Sequence, residues 1–205
     1  MKKMIPFVIM LAFAILGASD LFGAGATFAS SAPTAPAGAA NTQHATTGEV
    51  PTAVKEAVKE TLPNAQTITP QHKDLTDAQV ASIEKESGMK LDSKDHDSYL
   101  AFAGAAGTRK QIGMVTVVKA QGREIVIVYG SEKGSVVVID AHGESGGVPH
   151  GFLDQFKGKS HEHKLRLGQD IKPQDVDEAL ARAITDAIRL DVVTMQTLYG
   201  AAHAH

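Results

Sequence analysis

The sequence has no cysteine. Disulfides, thiolate metal sites, c-type haem attachment and a lipidated N-terminal Cys are excluded together. Tryptophan is also absent, and aromatic residues make up only 5% of the chain. After residue 29 the aromatics are Phe102, Phe152, Phe156 and three tyrosines. A core must therefore be built from Val, Ile, Leu and Ala. Basic charge is not in excess: the net charge is −3. That leaves no electrostatic footprint for nucleic acid. There is no phosphate-loop Lys motif, no evident internal repeat and no Gly-x-Ser-x-Gly setting for a nucleophilic serine, so a hydrolase reading is poor. The apolar run at residues 4–18 is shorter than the ~20 residues that span a bilayer.

That run has another use. Lys2 and Lys3 precede it, and Thr27-Phe28-Ala29 follows as a small-x-small site. Residues 1–29 read as a secretory signal peptide, with an uncleaved anchor as the lesser alternative. The expected location is the periplasm, with no membrane span left after cleavage. Residues 30–49, rich in Ala, Pro, Thr and Ser, bury too little apolar surface to order themselves and read as a disordered tether.

Order is expected from residue 50, with a helical lead-in over 50–98. Val54, Val58 and Leu62 share one helical face, and Pro63 ends the helix. A second helix starts at Thr76, whose partner Gln79 completes a capping box, and stops at Gly88. The link 62–65 makes the two a helical hairpin. A polar loop is expected at 92–97. Three β runs follow at 112–119, 124–129 and 135–140, joined by Gly-containing hairpin links. A further strand is expected near 99–103. Residues 125–128 are apolar on both faces, so helices should cover both sides of the sheet. His161, His163, Leu165 and Leu167 alternate and read as a last edge strand. Pro173 suits a helix N1 position, and one long helix over 173–199, with a possible break near Asp191, lays an apolar stripe on the sheet. The fold class is α+β: a twisted antiparallel meander flanked by helices, preceded by the helical hairpin.

The strand at 135–140 runs into His142-Gly143-Glu144-Ser145-Gly146-Gly147-Val148-Pro149. Glycine permits positive φ and close approach of a ligand to the backbone, and successive exposed N–H groups form anion-binding concavities. His142-Gly143-Glu144-Ser145-Gly146-Gly147 resembles the H-x-E-T-P-G turn of the FMN-binding domain family. That family includes periplasmic flavin subunits of membrane redox complexes and the N-terminal domain of nitrous oxide reductase regulators. The stretch at 152–159, Phe-Leu-Asp-Gln-Phe-Lys-Gly-Lys, is similar to the family's F-x-x-x-F-x-G-K. Ser145, Gly146 and Pro149 depart from the pattern. The resemblance covers roughly residues 99–190 and implies a domain over 99–200, with a short tail at 201–205.

The resemblance implies FMN as cofactor and a membrane-bound redox complex as a possible partner. His142 would donate to the ligand, Gly143, Gly146 and Gly147 would present N–H groups, and Glu144 would fix the loop. The family's second signature, S/T-G-A-T-x-S/T-S, carries the Thr that bonds FMN through a phosphoester. Residues 171–178 stand in its place, with Asp175 at the attachment position. A carboxylate makes no stable phosphoester, so any flavin is expected to be non-covalent. Asp175, Asp177 and Glu178 would also repel a phosphate, by about 4 kcal/mol per charge pair at ~4 Å and an effective dielectric near 20. Only Lys172 and the helix N-terminus oppose that. Acids in a first helical turn are also simply favourable to the helix dipole.

The expected function is electron transfer or redox sensing by a binding module rather than a catalyst. One alternative is a degenerate accessory or interaction protein without flavin. A third reading is a metal or haem binder using His150, His161 and His163, although ordinary edge-strand histidines explain the pattern more simply. His203 and His205 fall in the tail.

Overall fold

The computed structural model describes residues 43–44, 48–105, 107–143 and 147–201. The signal-peptide reading, most of the tether, Glu144, Ser145, Gly146 and residues 202–205 lie outside them. The described chain is α+β. Six antiparallel strands pair in simple sequence order: β1 Gln43–His44, β2 Thr67–Asp74, β3 Asp95–Ala103, β4 Lys110–Ala120, β5 Arg123–Glu132 and β6 Ser135–Gly143. The helices are α1 Thr52–Thr61, α2 Asp77–Ser87, α3 His150–Leu153, which runs into a 3-10 turn at Asp154–Phe156, and α4 Glu178–Tyr199.

The hairpins follow from their turn residues. Gln121-Gly122 has φ of 49° and 76°, and Lys133-Gly134 has 52° and 89°. Each is a two-residue loop, because Ala120 pairs with Arg123 and Glu132 with Ser135. Positive φ at both central residues matches the twist of the flanking strands.

β5 is buried on both faces. Ile125, Ile127 and Tyr129 enter a core with Ile184, Ile188, Val192 and Met195 of α4. Val126 and Val128 enter a second core with Val54, Ala57 and Val58 of α1. Each fully buried aliphatic side chain contributes about 1.5–3 kcal/mol relative to exposure. α2 lies beside α4, joined through Leu75, Ile83 and Val193. α1 therefore covers one face and α4 with α2 the other, as the two-sided apolar pattern of β5 requires.

Five elements differ from the sequence reading. The two N-terminal helices are present, but β2 runs between them, so the link is a strand and not a hairpin turn. β3 begins at Asp95, inside the stretch read as loop, and Gln43–His44, inside the presumed tether, pairs with β2. Residues 161–167 form no continuous strand: a turn at 161–163 gives way to irregular chain, with a single bridge from Leu167 to Ile171. Leu165 has φ of 46°, which breaks extended backbone, and the edge of β6 is met instead by Gly158, Lys159 and Ser160. α4 starts at Glu178, not at Pro173. Asp175 has φ of 55°, outside the helical region, and Asp177 is the cap, accepting from the N–H groups of Ala179 and Leu180. The helix passes unbroken through Asp191.

Candidate functional site

The last residues of β6 build the site. Val136 and Val138 belong to the core under α4. A bulge opposite Val128 and Tyr129 shifts the register, and Asp140 and His142 then lie opposite Val128 and Val126, on the α1 face. A bulge re-aims side chains in this way. α1 is held above them by Val54, Ala57 and Val58, so its residues Glu56, Glu60 and Thr61 come to the end of β6.

His142 is mostly buried, with its side chain 14% exposed. Its Nε2 lies 3.0 Å from Thr61 Oγ1 and 3.8 Å from Asp140 Oδ2. Its Nδ1 lies 3.7 Å from Glu60 Oε2. Asp140 accepts from the Ala141 N–H at 2.8 Å and pairs with Lys157 at 3.0 Å. Lys157 also pairs with Asp154 at 2.9 Å. The Asp154 and Asp140 carboxylates hold the Lys157 ammonium above its ordinary range. Among the described residues, the one lysine that pairs with Asp140 is thus shared between two acids.

Beside His142 a cleft of about 480 Å³ opens between α1 and the sheet. Ala53, Ala57 and Val126 supply its apolar surface, and Glu56, Glu60, Glu124, His142 and His150 its polar groups. Gly143 is in the wall. Its backbone is not in the positive-φ region, so the conformational reason expected for a glycine does not apply there. Space does. A Cβ would stand 3.1 Å from Val148 Cβ and 3.3 Å from Leu153 Cδ1. Gly147 is half-buried and leads into buried Val148.

Lys172 and Asp175 do not line this cleft. Lys172 follows Ile171, which is buried in the α4-side core, and its backbone is clasped by the side-chain amide of Gln155 at 2.8 and 3.0 Å. Among the described residues, the two halves of the expected flavin site are therefore not joined in this cleft. Of the three histidines of the metal reading, His161 and His163 line one smaller cavity with Glu86, and His150 stands apart from them. His150 is at the α1 cleft. His161 Nδ1 meets Glu86 Oε1 at 2.8 Å, and His163 Nδ1 accepts from the Ser160 N–H at 3.1 Å.

The cleft walls contributed by Glu56, Glu60 and Glu124, and the contact of Thr61 with His142, were not foreseen. Glu56 and Glu60 are spaced i, i+4 on the outer side of a recognisable helix. Nothing in the sequence says which strand end that helix overhangs.

The donor set decides what the cleft suits. It holds three carboxylates and no lysine or arginine among its lining residues. A flavin ring can use the apolar surface and the His142 imidazole. A phosphate dianion does not fit beside three acids, each repelling it. No helix among the described residues is long and apolar enough to cross a membrane. No family model, no curated protein and no solved structure matches this chain.

Proposed function

We propose that this chain is an exported, FMN-binding-like module of a redox system, and that any flavin it carries is held without a covalent bond. The observation that carries this reading is the cleft itself. It opens at His142 and Gly143, the start of the bend that resembles the flavin turn. If flavin is held there, the ring does the redox chemistry and the protein positions it and sets its charge environment. The carboxylates of Glu56, Glu60 and Glu124 exclude the phosphate from the cleft, so the ring alone supplies the affinity.

Titration of the mature protein with FMN and with riboflavin, followed by quenching of flavin fluorescence, tests this. Riboflavin should bind at least as tightly as FMN, and Glu60→Gln with Glu124→Gln should favour FMN selectively. A strong preference of the unaltered protein for FMN would reject the assignment of this cleft. The same three carboxylates favour a second reading, an accessory protein of an exported redox system that binds no flavin. Absence of binding by both flavins, with a colourless protein from the native compartment, selects it. Mass spectrometry of that protein also reports the cleavage point expected after Ala29.

A further inference from the structure

A second cluster lies on the β2–β3 pair, outside the cleft. The ladder sets His72 opposite Asp97 and Asp74 opposite Asp95. Residues at alternate positions share a face, so one imidazole and three carboxylates project together. His72 Nδ1 lies 2.7 Å from Asp97 Oδ1. Its Nε2 lies 3.4 Å from Asp74 Oδ1 and 3.8 Å from Asp95 Oδ1. The ligand atoms of His72, Asp74 and Asp95 all fall within 4.8 Å of one another.

We propose that His72, Asp74 and Asp95 bind one divalent transition-metal ion of the zinc type, with Asp97 as a positioning residue. Tetrahedral zinc with bonds of about 2.0–2.1 Å to N and O sets its donors about 3.3–3.5 Å apart. The two Nε2 distances are already close to that. A carboxylate on one ring nitrogen is the arrangement that fixes the tautomer of a metal-bound histidine and raises its basicity. With Nδ1 engaged by Asp97, Nε2 is the ring nitrogen that faces the other two acids. Imidazole together with carboxylate favours zinc-like ions over calcium and magnesium, which prefer oxygen alone.

Charge supports the same occupant. Like charges directly opposite on a ladder are destabilising, yet Asp74 faces Asp95. Among the described residues no lysine or arginine pairs with these carboxylates. Lys73 passes to the other face, over the Tyr199 ring, and Lys94 is taken by Asp77. Asp74 and Asp95 are 60% and 66% exposed, which leaves coordination positions open to water.

The test uses the mature, metal-free chain and zinc chloride in competition with a chromophoric chelator. One equivalent should bind, and the 15N resonance of His72 Nε2 should shift on loading. His72→Ala should weaken that equivalent by more than tenfold, and Asp97→Ala by ~10–100-fold, the usual loss for such a supporting carboxylate. His161→Ala with His163→Ala should leave it unchanged. Circular dichroism checks that each variant folds. No saturable zinc binding, zinc binding indifferent to His72→Ala, or calcium bound as tightly as zinc would each overturn the proposal. The last two outcomes identify stray histidine binding and a solvated acidic patch.

Discussion

Asp191 sits in the middle of α4, only 7% exposed, and accepts hydrogen bonds from Thr116 Oγ1 and Tyr129 Oη, both at 2.5 Å. Burial, with the Asp191 carboxylate beside it, pushes the Tyr129 hydroxyl well above its ordinary range, so it stays protonated and donates. A buried carboxylate is tolerated only while such donors are in place. Tyr129→Phe removes one of them at almost constant volume. The expected loss is about 1–3 kcal/mol, read as a lower urea midpoint with an unchanged slope. Glu84 gives a pH-dependent counterpart. Its carboxylate accepts from Lys90 Nζ at 2.5 Å and from the Leu91 N–H at 3.2 Å. Lys90 first, and then the Leu91 N–H, hold it below its ordinary value of 4.5. As pH falls, the unfolded chain takes up that proton before the folded one. The stabilisation is therefore full above 4.5 and is lost as pH drops through the lower, folded value. Glu84→Gln should be less stable than the unaltered protein at neutral pH and lose that disadvantage in acid. Urea titrations at about pH 7 and about pH 3 compare the two conditions.

At the scale of elements, α1 is the piece that turns a sheet end into a cleft, and it rests on Gly113. A Cβ there would run into the Leu62 side chain and lie 3.1 Å from the Tyr129 carbonyl oxygen. Gly113→Ala should lift the C-terminal end of α1, at a cost of about 1–3 kcal/mol typical of overpacking. Amide exchange should quicken in α1 while α4 keeps its protection, and uniform quickening would contradict the argument. The elements that were legible carried local signals. The capping box at Thr76 and the left-handed Gly88 bound α2, and glycines mark both hairpins. The misread ones lacked such signals or carried misleading ones. β2 contains Pro70, which removes a ladder donor and argues against a strand. The alternation at 161–167 is real, but Leu165 leaves extended backbone. Pro173 offers a helix start that the left-handed Asp175 cancels two residues later.

For the whole molecule, the two apolar faces of β5 announced helices on both sides, and that is how the cores divide. The cleft was only half visible. Its floor at His142 and Gly143 could be read from the glycine-rich bend, but its wall arrives from α1, 81 positions away at the Thr61–His142 contact. Hydrophobic periodicity tells which side of a helix points inward; it does not tell which strand that side meets. The same limit hid the His72 cluster. Its four residues are ordinary polar positions in sequence and become one group only through the pairing of β2 with β3.

The sheet is closed off at both margins. Beyond β6, the backbone of Gly158 and Lys159 exchanges hydrogen bonds with Val138. Beyond β2, β1 occupies His72 and Lys73, Pro70 has no N–H to offer, and the Gln71 side-chain amide donates to the Pro70 carbonyl at 2.9 Å. Among the described residues a neighbouring copy finds no long ribbon to zip onto. Short β1, the proline of β2 and the chain lying along β6 are thus three different ways of blunting a sheet edge against edge-to-edge pairing.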